Sequence, residues 1–83
     1  MDIKNLYALF QEHPFISTDS RDILPGCIFF ALKGPNFDGN QYADQSLDKG
    51  AAYAVVDDPA VARGGRFILV SNVLECLQQL AGY

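Results

Sequence analysis

STDSRDILPGCIFFALKGPNFDG, residues 17–39, is the stretch that decides the reading of this chain. Ser17, Thr18, Asp19 and Ser20, closed by Arg21, are short polar residues that hydrogen-bond local backbone in turns and also offer hydroxyl and carboxylate groups to a ligand. Pro25-Gly26 predicts a tight turn, because Pro presets φ and Gly accepts φ > 0. The turn delivers the chain into Cys27–Leu32, CIFFAL, an uninterrupted apolar run of strand length that reads as buried. Lys33–Gly39 then reads as a polar loop with two Gly and one Pro. A polar segment, a buried strand and a Gly-containing polar loop form the layout of a binding edge on an α/β sheet, where ligands sit beyond the carboxyl ends of strands.

Outward from that stretch, the flanks read as alternating helices and strands. On the N-terminal side, Asp2 is placed to cap a helix from Ile3 to about Glu12, with Ile3, Leu6, Tyr7 and Phe10 on one face. His13-Pro14 ends it, since a residue before Pro is pushed out of the helical region. His13, the one histidine, suits a helix C-terminus as a dipole partner better than it suits a catalytic base. Phe15-Ile16 reads as a short strand entering the Ser17 cluster. On the C-terminal side, Asn40–Lys49 predicts a helix with Tyr42, Ala43, Ser46 and Leu47 facing inward and Gly50 as its cap. Ala51–Val56 follows as a buried strand whose small residues suit close packing beneath a helix. Asp57-Asp58-Pro59 opens a short helical turn, with Asp58 as cap and Pro59 at the first helical position. Arg63–Arg66 reads as a loop and Phe67–Val70 as a third apolar strand. Ser71 or Asn72 caps a last helix, Asn72 with Glu75 approximating a capping box, with Val73, Leu77, Leu80 and Ala81 as its apolar stripe. The expected fold class is α/β: a small, three-layer-like sandwich of a mostly buried sheet with about three helices.

Composition bounds the function. Eighty-three residues suit one domain, and 49% hydrophobic content supports a packed core. A net charge of −4 without a basic stripe argues against a nucleic-acid partner. No apolar run approaches the ~20 residues of a membrane span, and Met1-Asp2-Ile3-Lys4 lacks the pattern of a signal peptide. A cytoplasmic protein is expected, with Cys27 and Cys76 as reduced core thiols. Neither GxxxxGK[ST] nor GxGxxG occurs. Ser17 and Ser20 have only His13 as a conceivable base, and one His with scattered Asp does not make a metal site. Asp57-Asp58 reads as a solvated capping turn. The residues themselves describe a binding module with no catalytic group and no metal ligand.

The pieces STDSR, PG, FFALKG, FDG, a helix ending in KGA and a strand AYAVVD, in this order and spacing, resemble the N-terminal domain of the Mur ligases. The resemblance covers roughly Ile16 to Asp57, and the closing LAGY is in keeping with it. Within that family FFALKGPNFDG is most similar to the members that add D-alanyl-D-alanine to UDP-N-acetylmuramoyl-tripeptide. The members that add the diamino acid to form the tripeptide share much of the pattern and stay as the alternative.

What the resemblance implies is a domain, residues 1–83, that anchors the uridine diphosphate end of a UDP-N-acetylmuramoyl-peptide substrate. Ser17, Thr18, Asp19, Ser20 and Arg21 would form one wall of the site. Lys33, Gly34, Asn36, Phe37, Asp38, Gly39 and Asn40 would form the other. Hydroxyls and backbone amides would read uracil and ribose, with Arg21 or Lys33 facing the diphosphate. Phe37 would cover the uracil face or tuck into the core. Asp19 and Arg21 would touch ligand, or pair with each other to hold the turn; Gly34 and Gly39 would serve the ligand or only the backbone angles. Asn40 stands where members often have His, and the N-terminal part lacks a longer Gly-containing hairpin. The family's ATP-binding central domain and its C-terminal domain are expected to be missing from the chain, so ATP and Mg²⁺ are implied for the parent enzyme and no cofactor for this piece, which alone would be inactive. Two further readings stay open. One is a non-catalytic α/β interaction domain, favoured if the two walls lie on opposite sides of the sheet. The other, a small stand-alone enzyme, lacks a nucleophile–base pair.

Overall fold

The computed structural model describes residues 3–13, 15–35 and 37–82, without the side chains of Ile3 and Phe37. The expected cap at Asp2 and stop at Pro14 lie outside the described residues, as does the place of the Ile3 side chain on its helix. Helix α1 (Ile3–Glu12) leads to strands β1 (Ile16–Ser17) and β2 (Ile28–Phe30). A hairpin of β3 (Lys33–Gly34) and β4 (Phe37–Asp38) follows, then a 3-10 turn (Gly39–Tyr42) running into α2 (Ala43–Asp48). Strands β5 (Tyr53–Val56) and β6 (Phe67–Leu69) and helix α3 (Val73–Gly82) complete the chain. Strands β1, β2, β5 and β6 form one parallel sheet in that order, with Ile16 beside Ile28, Phe30 beside Val55 and Val56 beside Leu69.

Side-chain alternation in the strands divides the interior in two. Ile28, Phe30, Val55 and Ile68 point to the face covered by α1 and α3, where Leu6, Val73, Cys76 and Leu80 meet them. Cys27, Phe29, Ala31, Ala54 and Val56 point to the face covered by α2, where Ala43 and Leu47 pack. The result is the expected three-layer α/β sandwich with three helices. Strand order follows chain order, so each new parallel strand is added on the same side. Crossovers of one hand must then run over one face. They do: Ile23 of the β1–β2 connection and Val61 and Ala62 of the β5–β6 connection pack into the α2 cluster. The two terminal helices are left to close the other face.

Local chemistry fixes the corners. The Cys27 amide donates to the Leu24 carbonyl at 3.1 Å and Gly26 sits at φ +82°, so Leu24-Pro25-Gly26-Cys27 is a type II turn. Gly50 at φ +116° ends α2 in a Schellman arrangement: its amide donates to Leu47, and the Ala51 amide to Ser46, both at 3.1 Å. The Arg66 guanidinium reinforces that end by donating to the carbonyls of Leu47, Ala51 and Ala52. Asn72 caps α3, accepting the Glu75 amide at 2.9 Å, and Asp58 accepts the Ala60 amide at 3.0 Å. His13 places Nδ1 3.1 Å from the Gly26 carbonyl and its ring edge-on to Tyr53, holding the end of α1 against the turn.

Three expectations are corrected. Residues 33–39 are not simply a loop, because Lys33–Gly34 and Phe37–Asp38 pair as an antiparallel hairpin. The helix expected over Asn40–Lys49 begins as a 3-10 turn, in which Asp38 accepts the Asn40 amide. That turn winds more tightly than an α-helix, so Tyr42 swings outward to 41% exposure instead of facing the core. In α3 the buried stripe is Val73, Cys76 and Leu80; Leu77 is half-buried and Ala81 exposed. Both cysteines are free and buried.

Candidate functional site

The carboxyl ends of neighbouring strands β1 and β2 bring the two expected walls to the same end of the sheet. Leaving β1, the chain makes a compact polar loop held by its own side chains. The Ser17 hydroxyl lies 2.9 Å and 2.8 Å from the carbonyls of Asp19 and Asp22 and accepts the Asp19 amide at 3.2 Å. Asp19 Oδ1 accepts the Arg21 amide at 2.9 Å, a short side-chain turn that closes the loop. Arg21 then donates Nε and Nη2 to the two carboxylate oxygens of Asp19, at 3.1 Å and 3.0 Å. These hydrogen bonds and the guanidinium charge hold the Asp19 carboxyl below its ordinary pKa. Asp19 and Arg21 thus pair with each other and hold the turn. Arg21 is nevertheless 86% exposed, with its remaining N–H donors facing water.

Thr18, Asp19, Ser20 and Arg21 line a half-open cleft of about 620 Å³, within the ~300–1,000 Å³ usual for small-molecule sites. Phe29 and Gly39 contribute from the sheet side. The opposite wall is α2 with its flanking residues, through Tyr42 before it, Gln45 within it and Lys49 after it. Lys49 bridges the walls, its Nζ donating to the Ser20 carbonyl at 2.8 Å. Two cations and one carboxylate therefore line a cleft in a chain whose net charge is −4. Ser17 lines a smaller neighbouring depression with Asp22 and Leu24.

The second expected wall divides. Gly39 reaches the cleft, and its role is close approach and not a left-handed backbone. Its amide donates to the Leu32 carbonyl at 2.8 Å, and a Cβ added there would stand 2.6 Å from that oxygen. Asn40, Asp38 and Lys33 belong instead to a polar cluster at the ends of β2 and β5. Asn40 is 2% exposed. Its Nδ2 donates to Asp38 Oδ1 at 2.8 Å and to Asp57 Oδ1 at 2.9 Å, and its Oδ1 accepts the Asp57 amide at 3.0 Å. Asp57 Oδ2 accepts the Val73 amide at 3.1 Å at the start of α3, and Lys33 Nζ stands 3.7 Å from Asp57 Oδ1. Desolvation pushes the Asp38 carboxyl up, but the Asn40 hydrogen bonds and the Lys33 charge outweigh it and leave its pKa lowered. Gly34 lies on β3 of the hairpin. Asn36 and the Phe37 side chain lie outside the described residues.

Tyr42, Gln45 and Lys49 are the cleft residues that the sequence reading did not single out. Only Gln45 lies within α2, with Tyr42 closing the 3-10 turn before it and Lys49 following it, so no single helical period announced the three together.

A sequence model described as Mur ligase family, catalytic domain, matches residues 12–83. The chain is 46% identical over 44 residues to the UDP-N-acetylmuramoyl-tripeptide–D-alanyl-D-alanine ligase of Escherichia coli, covering 53% of the chain and 10% of that protein. It is 35% identical over 77 residues to the UDP-N-acetylmuramoyl-L-alanyl-D-glutamate–2,6-diaminopimelate ligase of Rickettsia conorii, covering 90% of the chain and 16% of that protein. Among solved structures, the MurF ligase from Thermotoga maritima in complex with ADP superposes with a TM-score of 0.74 at 28% identity, over 81% of the chain and 16% of that structure. A MurF from Acinetobacter baumannii gives 0.71 at 32% identity, over 86% of the chain and 15% of that structure. The chain thus spans about a tenth to a sixth of the length of these relatives.

Proposed function

The chain belongs to the Mur ligase family, and on that premise we propose that it is the N-terminal, substrate-anchoring domain of a cytoplasmic ligase of peptidoglycan precursor synthesis. The ligand it holds is the uridine diphosphate end of a UDP-N-acetylmuramoyl peptide. The observation that carries the reading is the cleft at the carboxyl ends of β1 and β2, where Thr18–Arg21 and Gly39 meet around a cation-bearing space of nucleotide size. This is the position at which α/β sheets take ligands. It does not supply the arrangement that would favour the interaction-domain reading, the two walls on opposite sides of the sheet.

The parent reaction that fits is addition of D-alanyl-D-alanine to the UDP-linked tripeptide, in keeping with the FFALKGPNFDG phrase and the 46% identity to the Escherichia coli ligase. Addition of the diamino acid is the second reading, favoured by the longer match to the Rickettsia ligase. ATP and Mg²⁺ belong to the proposal for the parent. The chain carries no GxxxxGK[ST] loop, and among the described residues no group of three metal-ligating side chains gathers. The contribution of the cleft residues is binding energy remote from the reacting carbonyl, which orients the reactive end of the substrate.

An amide NMR titration with UDP-N-acetylmuramic acid, with ATP as control, tests the reading. Shifts concentrated in Thr18–Arg21 and Gly39, absent with ATP, are expected, and Arg21→Ala should weaken binding about fivefold with the fold intact. Equal shifts with both ligands, or shifts remote from the cleft, would overturn it.

A further inference from the structure

Asp57 follows the last residue of β5 and meets partners from three other elements. Its Oδ1 accepts Asn40 Nδ2 at 2.9 Å from the turn before α2, and its Oδ2 accepts the Val73 amide at 3.1 Å from the first turn of α3. Lys33 Nζ of the hairpin stands 3.7 Å from Oδ1. All three partners are donors, so the position needs an acceptor on both oxygens, which a carboxylate supplies and a carboxamide does not. The Val73 contact also places negative charge at the N-terminal end of a ten-residue helix, where the helix dipole favours it. Among the described residues, the polar side chains of the hairpin reach the main sheet through Asp57, Lys33 directly and Asp38 by way of Asn40. Gly39, which lines the cleft, immediately precedes Asn40. A displacement of the cleft floor therefore bears on Asn40, then on Asp57, then on α3, which covers the opposite face of the sheet from α2.

We propose that Asp57 is a positioning residue that couples the cleft floor to α3. Its carboxylate latches the Gly39–Tyr42 turn to the Val73 amide, so that this turn and the first turn of α3 loosen or tighten together. Hydrogen-bond networks carry coupling of this kind when both ends bias the same arrangement. The latch stands without any ligand; its use, to carry occupancy of the cleft to the other face of the sheet, rests on the anchoring reading.

Amide hydrogen exchange tests the latch, with Gly39 and Asn40 reporting the turn, Glu75 the helix, and Val55 and Ile68 the core. Asn72→Ala removes the cap of α3 at an exposed position and should speed exchange at Glu75 about fivefold. Through the latch, Gly39 and Asn40 should also speed up, by about twofold or more, and this second effect should vanish in an Asp57→Asn background. Whichever way that carboxamide turns, its NH2 meets Asn40 Nδ2 or the Val73 amide, both donors. Val73→Pro cuts the same link from the helix side, since Pro suits the first helical position and carries no N–H; it replaces Asp57→Asn in the comparison if that variant unsettles the core amides. If Asn72→Ala leaves Gly39 and Asn40 unchanged, or moves them equally with and without the link, Asp57 is a local cap and the proposal falls. A UDP titration then tests the use of the latch. Shifts at Thr18–Arg21 should be joined by shifts at Val73 and Glu75 in the unaltered chain and not in Asp57→Asn. Shifts confined to Thr18–Arg21 overturn the carrying of occupancy and leave the anchoring reading standing. If UDP moves no amide of Thr18–Arg21, the anchoring reading falls, and the exchange result still decides the latch.

Discussion

Asn40 is the residue on which the second wall depends, and it acts from inside. Both Nδ2 hydrogens and Oδ1 are used on Asp38 and Asp57, so its carboxamide ties the turn that follows β4 to the end of β5. Asn40→Leu conserves volume but leaves the Asp57 amide without its partner and takes one donor from each of the Asp38 and Asp57 carboxylates. Unsatisfied buried groups cost about 1–3 kcal/mol each, so urea unfolding should show a loss on the order of 2–3 kcal/mol. The sequence could not announce this. A polar residue after Asp-Gly in a polar stretch looks like a surface group or a ligand contact, and its main partner is Asp57, far along the chain. The Asp19–Arg21 pair was legible as one of two readings, because two residues of opposite charge at that spacing in a turn reach each other without help from the fold.

At the scale of elements, Gly39 sets how closely the turn into α2 lies on the edge of the sheet. Gly39→Ala would drive a Cβ to 2.6 Å from the Leu32 carbonyl and 2.8 Å from the Ala31 carbonyl carbon. Both are backbone atoms, so the turn itself must shift. Overpacking of this kind costs about 1–3 kcal/mol. Urea unfolding should register it, and the amides of Thr18–Arg21 should shift as the cleft floor moves. Elements with local chemistry were legible: α1, the Pro25-Gly26 turn, the Gly50 terminus and the Asn72 cap are each dictated by residues within a few positions. The β3–β4 hairpin was not, because two-residue strands carry no periodicity. Tyr42 was misplaced for a related reason, since a 3-10 turn breaks the α-helical phase that projected it inward. Only part of the cleft could therefore be read beforehand: the Thr18–Arg21 loop and Gly39, but not the wall from α2.

For the whole molecule, the three-layer sandwich was legible because continuous apolar runs mark strands buried on both faces, while the strand order required the structure. One thiol lies in each of the two cores, Cys27 under α2 and Cys76 on the inner side of α3. Burial pushes both pKa values above their ordinary 9.0. A raised thiol pKa means that the folded state favours the protonated form. Its contribution to stability is present below the unfolded value and is lost as pH rises through the folded one. At pH 8 the folded chain should resist an alkylating reagent at both positions, and urea should release both thiols together; fast labelling of either in the folded chain would show that its core opens locally. Because the crossovers run over the α2 face, the opposite face is closed, among the described residues, by α1 and α3. During synthesis the chain emerges from its N-terminus, so α1 leaves the ribosome long before its cover exists. Leu6, Phe30 and Val55 stay bare on the nascent chain until α3 has cleared the exit tunnel, and that interval is when a chaperone or a second nascent chain has its opening.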